Sequence, residues 1–246
     1  MPKSFRYNDV ELFYNSRDHL IGLAEVFLLD TYPTSLLQEG DLVVDLGAGI
    51  GDFAILASRR VGPEGKVIAL EPNAEDYQLL KINVERNGCP NVTALNVGVA
   101  GEPGQKEISF WGKKYAFRVD TLENILARLE VRDRIDFIKM DIEGFEAEVI
   151  GGSIETIKDA DVISLELHWT KDRVDRMLRP HGFVFRPLLR RRMLAKFVAN
   201  MFTHPRALFK TSLTTIAWCP TMVFSRLSET VHKDRLMTGV YVKSRA

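Results

Sequence analysis

Leu42–Leu56 reads LVVDLGAGIGDFAIL, an apolar run that ends in an acid and passes into three alternating glycines. Leu42, Val43, Val44 and Leu46 have the continuous apolar character of a strand buried on both faces, as in a parallel sheet. Gly47, Gly49 and Gly51 follow as GxGxG, with Ala48 between the first two. Without side chains, such positions allow a tight turn and bring the backbone close to a ligand. The residues after Gly51 carry a helical pattern, so the stretch predicts strand, turn and helix in succession.

Outward from this stretch, Lys66–Leu70 (KVIAL) is a second apolar strand ending at Glu71, twenty positions beyond Gly51. A nucleotide-binding βαβ unit places its ribose-binding carboxylate at about that distance. Two cofactors compete for such a site. Dinucleotide binding usually takes GxGxxG, where a helix N-terminus faces a pyrophosphate. Here the spacing is GxGxG and Asp45 stands two residues ahead of the first glycine. A carboxylate there suits a cationic ammonium or sulfonium group better than a pyrophosphate, which favours S-adenosylmethionine over a nicotinamide dinucleotide. The plainer alternative is a doubly wound domain whose glycines only pack helix against sheet.

At 246 residues the chain can bury one large core, and its 46% apolar and 27% charged composition is that of a globular protein. The formal net charge is zero, but residues 186–246 hold twelve Lys or Arg against Glu229 and Asp234, a net of +10 that leaves −10 on residues 1–185. That asymmetry bears on surfaces and partners rather than on fold. Cys89 and Cys219 form no disulfide framework or metal spacing. With no signal-peptide-like start and no apolar run of membrane-spanning length, a cytoplasmic setting is expected.

Apolar runs and helical patterns alternate after residue 40, the mark of an α/β domain with a mainly parallel sheet. Strands are expected near 42–46, 66–71, 92–97, 135–140, 162–167, 182–188 and 237–244, and helices near 51–60, 74–87, 121–130, 145–158 and 171–179. Residues 5–15 suggest a small hairpin, followed by an apolar helical stretch over 20–29. KEISFWG and YAFRV, at 106–112 and 115–119, look like extra strands. The expected organisation is an N-terminal hairpin and helix over 1–40, a core over 41–188, a basic amphipathic insertion over 189–235 and the last core strand over 236–246.

A second chemical cluster follows the strand at 135–140, in the segment DIEGFEAE. Ligands of open parallel sheets bind beyond the carboxyl ends of the strands. Asp141, Glu143 and Glu146 are therefore placed near the cofactor, with Asp141 best placed to meet donor or acceptor and Glu146 on the first turn of a helix. Lys139 alternates with Asp141 along the strand and is a possible ion-pair partner for it. Val162–Trp169 (VISLELHW) adds Glu166 and His168 at another strand end. Imidazole is the usual group for taking a hydroxyl proton near neutral pH. Asp141, Glu143, Glu166 and His168 match no recognised metal-ligand spacing, and no metal is assigned.

The chain resembles the FkbM-type S-adenosylmethionine-dependent methyltransferases. The resemblance rests on VVDLGAGIGDFAILASRRVGPEGKVIALEPN (43–73), TLENI (121–125), IDFIKMDIEGFEAEVIGG (135–152) and VISLELH (162–168). It implies a class I methyltransferase fold, with six parallel strands and a seventh, antiparallel strand at the edge, and methyl transfer usually to an oxygen. By position it implies a donor loop at Asp45, Gly47, Ala48, Gly49 and Gly51. Glu71 with Pro72 and Asn73 would then meet the ribose, and Asn96 and Val97 would lie by the adenine. Asp141 and Glu143 match the family's acidic segment, and Asp141 or His168 is the expected base.

The basic segment RRRMLAKFVANMF (190–202) spaces Met193, Leu194, Phe197, Val198, Met201 and Phe202 along one helical face. It fits a lid packed on the core, a peripheral contact with anionic membrane, or an RNA contact. The leading function is therefore O-methylation of a hydroxyl on a glycan, glycolipid or small metabolite. The alternatives are an RNA or protein methyltransferase docking through the insertion, or a catalytically silent adenosyl-binding or membrane-associated module.

Overall fold

A computed structural model describes residues 3–110, 113–188, 190–204, 207 and 236–243. The chain opens with a hairpin of β1 (Lys3–Tyr7) and β2 (Val10–Tyr14), then α1 (Arg17–Leu23) and a π-helical turn over Ala24–Leu29. The core follows as β3 (Leu42–Leu46), α2 (Asp52–Val61), β4 (Lys66–Leu70), α3 (Ala74–Arg86) and β5 (Val92–Leu95). Next come β6 (Gly98–Val99), β7 (Gly104–Phe110), β8 (Lys113–Asp120) and α4 (Leu122–Arg128). Then come β9 (Phe137–Met140), α5 (Glu146–Gly152), α6 (Ile154–Ile157), β10 (Val162–His168) and α7 (Lys171–Leu178). β11 (Phe183–Pro187), α8 (Arg190–Thr203) and β12 (Leu236–Lys243) complete the described chain.

Seven strands form one sheet in the order β11-β12-β10-β9-β3-β4-β5. The α/β class and the mostly parallel sheet expected from the alternating pattern are what the chain forms. All five residues of β3 are buried, as its unbroken apolar run requires. One expectation is corrected. The antiparallel strand β12 is not at the edge; it pairs with both β10 and β11. Its Val240 and Tyr241 are 7% and 0% exposed, which rewards an inner position. The edge falls to β11, which ends in Pro187, a residue without an N–H to donate.

From β3 the chain steps outward through β4 to β5, then returns to β9 on the other side of β3. That reversal between β3 and β9 is the switch point where open sheets bind ligands. The sheet faces differ. One packs Val44, Leu46, Ile138, Met140, Leu165 and others into an apolar core. On the opposite face, Asp45, Lys139, Ser164 and Glu166 are buried among the strands' carboxyl halves.

The N-terminal hairpin docks through two asparagines one turn apart, Asn83 on α3 and Asn87 at its C-cap. The Asn83 amide donates to Phe13 O and Ile50 O and accepts from Phe13 N–H, at 3.0, 2.8 and 2.7 Å. Asn87 does the same for Glu11, accepting from its N–H and donating to its carbonyl. These amides satisfy backbone groups of β2 that would otherwise be unpaired. Asn83 also ties the hairpin to Ile50, inside the glycine turn.

The helix expected over 145–158 is two helices, broken at Ser153. Ser153 has φ −128°, and its hydroxyl accepts from Leu122 N–H and donates to Glu123 Oε2. α8 is helical, as its pattern predicts. Val198 and Phe202 are 43% and 81% exposed, whereas Asn200 is buried against Phe27 and Leu28 carbonyls. Residues 189, 205–206 and 208–235 of the basic insertion, and 244–246 of the last expected core segment, lie outside the described residues. Among the described residues no helix is long and apolar enough to cross a membrane.

Candidate active site

The glycine turn leaves β3 with Gly47, Gly49 and Gly51 all at positive φ, +76°, +52° and +89°. Each glycine has a different reason. A Cβ on Gly47 would stand 1.9 Å from the Asp141 carbonyl oxygen, so only glycine lets the turn pass the end of β9. A Cβ on Gly51 would meet Leu80 of α3 at 2.6 Å. A Cβ on Gly49 would meet nothing within 4 Å. Gly49 is thus the position where the turn opens onto free space, and Gly47 and Gly51 are where it packs on protein. Gly47 N–H and Ala48 N–H both donate to Leu70 O at 3.0 Å, holding the turn against β4.

Glu71 closes this side. It is 7% exposed, and its two oxygens accept from Gly49 N–H at 2.8 Å and Asn73 N–H at 2.7 Å. Burial pushes its carboxyl up to about 8, against the lowering effect of those two bonds. Asn73 caps α3 by accepting from Glu75 N–H and Asp76 N–H. Asn96 donates to the carbonyls of Glu71 and Pro72 at 2.9 and 3.0 Å, and Val97 is 7% exposed. The Glu71–Asn73 corner is therefore held from beneath by Asn96.

Asp45 is 0% exposed, which withdraws its side chain from direct contact with a ligand. Lys139 stands 3.2 Å from Asp45 Oδ1 and donates to Gly47 O at 2.5 Å, so its close ion pair is with Asp45. Neither Asp45 oxygen receives an aligned hydrogen bond, leaving a buried carboxylate satisfied by charge alone. Burial raises the Asp45 carboxyl, and burial likewise pushes partly buried Asp52 up to about 6. The Lys139 ammonium lies in the field of Asp45, Asp141 and Asp52, which outweighs its burial and raises its pKa. One buried cation facing several acids gives the pocket a bias toward positively charged ligands.

Tyr32 was not legible as a site residue. Only 3% exposed, it donates its hydroxyl to Asp141 Oδ2 at 2.7 Å and lies 3.4 Å from Glu166 Oε2. Burial and the two carboxylates raise its pKa far above the ordinary range. The N-terminal segment thus reaches into the switch point and fixes Asp141 on one side.

His168 completes the rim. Its Nδ1 is 2.9 Å from Glu146 Oε1, and its Nε2 is 3.4 Å from Glu143 Oε2. Glu146 is fully buried and also accepts from Thr170 Oγ1 and Gly144 N–H. Burial opposes the charged imidazole, but Glu146, Glu166 and Glu143 prevail and raise it to about 9. Glu143 and Trp169 both adopt positive φ, +53° and +58°, on the two adjacent rim loops. For a bulky non-glycine residue that conformation is uncommon. Trp169 is 69% exposed there, directly after His168.

Comparisons with known proteins bear on the family and the fold. The model of the methyltransferase FkbM domain matches residues 45–192. The methyltransferase sdnD of Sordaria araneosa is 24% identical, over 65% of this chain and 80% of its own. The hexuronic acid methyltransferase AglP of Haloferax volcanii is 26% identical over 56% of this chain, and the chain spans 60% of that relative's length. Among solved structures, a putative rRNA-methylase from Clostridium thermocellum has the same fold, with TM-score 0.51, 10% identity and coverage of 87% of this chain and 92% of that one.

Proposed function

Because the chain belongs to the FkbM methyltransferase family, we propose that it transfers the methyl group of S-adenosylmethionine to a hydroxyl oxygen of a glycan, glycolipid or small metabolite. The observation that carries this reading is the packing of the glycine turn against Asp141. Gly47 passes against the Asp141 backbone, and Gly49, two residues on, opens onto free space.

The residues fit the donor. Gly49 gives backbone access with no side chain in the way, and ionised Glu71 keeps lone pairs for both ribose hydroxyls. Asn96 fixes the Glu71–Asn73 corner, with Val97 behind the adenine side. Asp45, sealed beneath Lys139, acts as a positioning residue for the turn, while the acids around Lys139 favour a cationic ligand. Bound S-adenosylmethionine supplies an electrophilic methyl group attached to a sulfonium sulfur.

The protein's remaining tasks are to align the acceptor and take its proton. Asp141, steadied by Tyr32, is the proton acceptor. The carboxylates around His168 favour its charged form, which makes it less suited than Asp141 to take the acceptor's proton. Exposed Trp169 offers a flat apolar surface beside them, suited to the face of a sugar ring. A sugar acceptor gains support from the relative named for hexuronic acid. The exposed Val198 and Phe202 of α8, with exposed Lys196, are the support for a peripheral contact with an anionic surface.

Donor affinity is expected to depend on Glu71 ionisation. A carboxyl raised from 4.5 to about 8 keeps its proton in the folded chain after the unfolded chain has lost it. Its contribution therefore favours folding below 4.5 and is lost as pH rises toward 8. The ribose hydroxyls need the ionised form, so binding changes in the opposite sense. Calorimetric titration with S-adenosylmethionine is expected to show affinity rising from pH 7 to 9. Glu71→Gln should bind weakly and remove that rise; a wild-type affinity independent of pH would contradict the role.

A further inference from the structure

The rim loops after β9 and β10 bring together a group of side chains whose chemistry goes beyond proton transfer. Asp141, Glu143 and His168 each offer one ligand atom, and these three atoms lie within 4.8 Å of one another. Residues 143 and 168 are far apart in sequence, which is why no spacing motif announces the set.

The imidazole separates this arrangement from an ordinary acidic patch. A metal-ligating histidine usually gives its other ring nitrogen to a carboxylate, which fixes the tautomer and aims the free nitrogen at the ion. Glu146 stands at that place, 2.9 Å from Nδ1. Glu146 is itself immobilised in the core, 0% exposed and bonded to Thr170 Oγ1 and Gly144 N–H at 2.8 and 2.9 Å. Asp141 is steadied in the same way by the Tyr32 hydroxyl. What these outer contacts leave turned inward is His168 Nε2, facing Glu143 Oε2, with an Asp141 oxygen close by. Two carboxylates and an imidazole, with further positions open, suit a divalent cation of intermediate hardness such as Mn²⁺.

We infer that Asp141, Glu143 and His168 bind one divalent metal ion at the acceptor side of the site, where it holds the acceptor oxygen beside the donor. The ion displaces the proton from Nε2. Its presence eases ionisation of the acceptor hydroxyl. The bonds exchanged are those of methyl transfer: the acceptor O–H gives way to O–CH₃, the donor S–CH₃ bond breaks, and the proton passes over the rim carboxylates to solvent. The ion's role rests on the methyltransferase reading above, but its binding does not.

The test is therefore made without donor or acceptor. The full chain is stripped with a chelator, dialysed and titrated with MnCl₂, with free Mn²⁺ read by electron paramagnetic resonance. One ion per chain is expected. Glu143→Gln, whose side chain is 52% exposed and so perturbs the fold little, and His168→Gln should each weaken binding by roughly 10–100-fold. Circular dichroism confirms that both variants remain folded. Absence of saturable binding, or an affinity that either variant leaves within about two-fold of wild type, overturns the inference. Calorimetry with S-adenosylmethionine on the same samples keeps the two ideas apart. Mn²⁺ binding without donor binding removes the donor reading alone, and donor binding without Mn²⁺ binding removes the metal site alone.

Discussion

Asp141→Asn is expected to lower the turnover number for methyl transfer by a factor on the order of 10²–10⁴, the usual contribution of a positioned proton acceptor or its charge. Asparagine has nearly the same shape, and its carbonyl oxygen can still accept the Tyr32 hydroxyl, so the loop after β9 should keep its place. What is lost is the negative charge and the ability to take a proton. Donor affinity should therefore change little, because the groups assigned to the donor, Gly49 and Glu71, belong to other elements. A fall in the turnover number at constant donor affinity separates this role from general damage. An unchanged turnover number would remove Asp141 from the chemistry.

The second large effect belongs to the turn itself, where two glycines two residues apart should respond differently. Gly47→Ala puts a methyl group 1.9 Å from a backbone carbonyl at a φ of +76°. No flexible side chain can yield, so the ends of β3 and β9 must separate. Overpacking and the left-handed backbone together should cost about 3 kcal/mol or more. For a chain of this size that corresponds to a Tm lower by roughly 6–12 °C. Gly49→Ala meets open space and carries only the cost of a left-handed alanine, roughly 1–2 kcal/mol. Its stability should fall less than that of Gly47→Ala, while its affinity for S-adenosylmethionine falls about tenfold or more, because the methyl group occupies the donor's approach. Equal loss of stability in the two variants would show that Gly49 also packs on protein.

Much of the fold could be read from periodicity because the central strands are buried on both faces. Leu42–Leu46 and Lys66–Leu70 lie within their expected ranges. The break at Ser153 was hidden because its cause is a hydrogen bond to α4, remote in sequence. The inner place of β12 was hidden for a related reason. Strand order depends on which apolar faces meet, and a single apolar run does not specify that.

At the site, the local motif gave positions but not partners. Asp45 and Lys139 each stood out, yet their pairing follows from the register of β3 with β9, where residue 45 lies opposite residue 139. Tyr32 carried no signal, since a tyrosine between an apolar helix and a Pro-Thr break has no pattern pointing to Asp141. His168 was visible as a strand-end histidine, but not its support. Only the folded loops bring Glu146 and Glu143 to its two nitrogens.

The most direct measurement follows the methyl group. The protein is incubated with S-adenosylmethionine carrying a labelled methyl and with extract separated afterwards into glycan, lipid, small-molecule, RNA and protein fractions. Label is expected in carbohydrate or another hydroxyl-bearing product, in a bond that survives mild alkali as a methyl ether does and a methyl ester does not. The Asp141→Asn protein should leave that fraction nearly unlabelled. Label in RNA or protein, label released by mild alkali, or no label above a protein-free control would contradict hydroxyl methylation at this site.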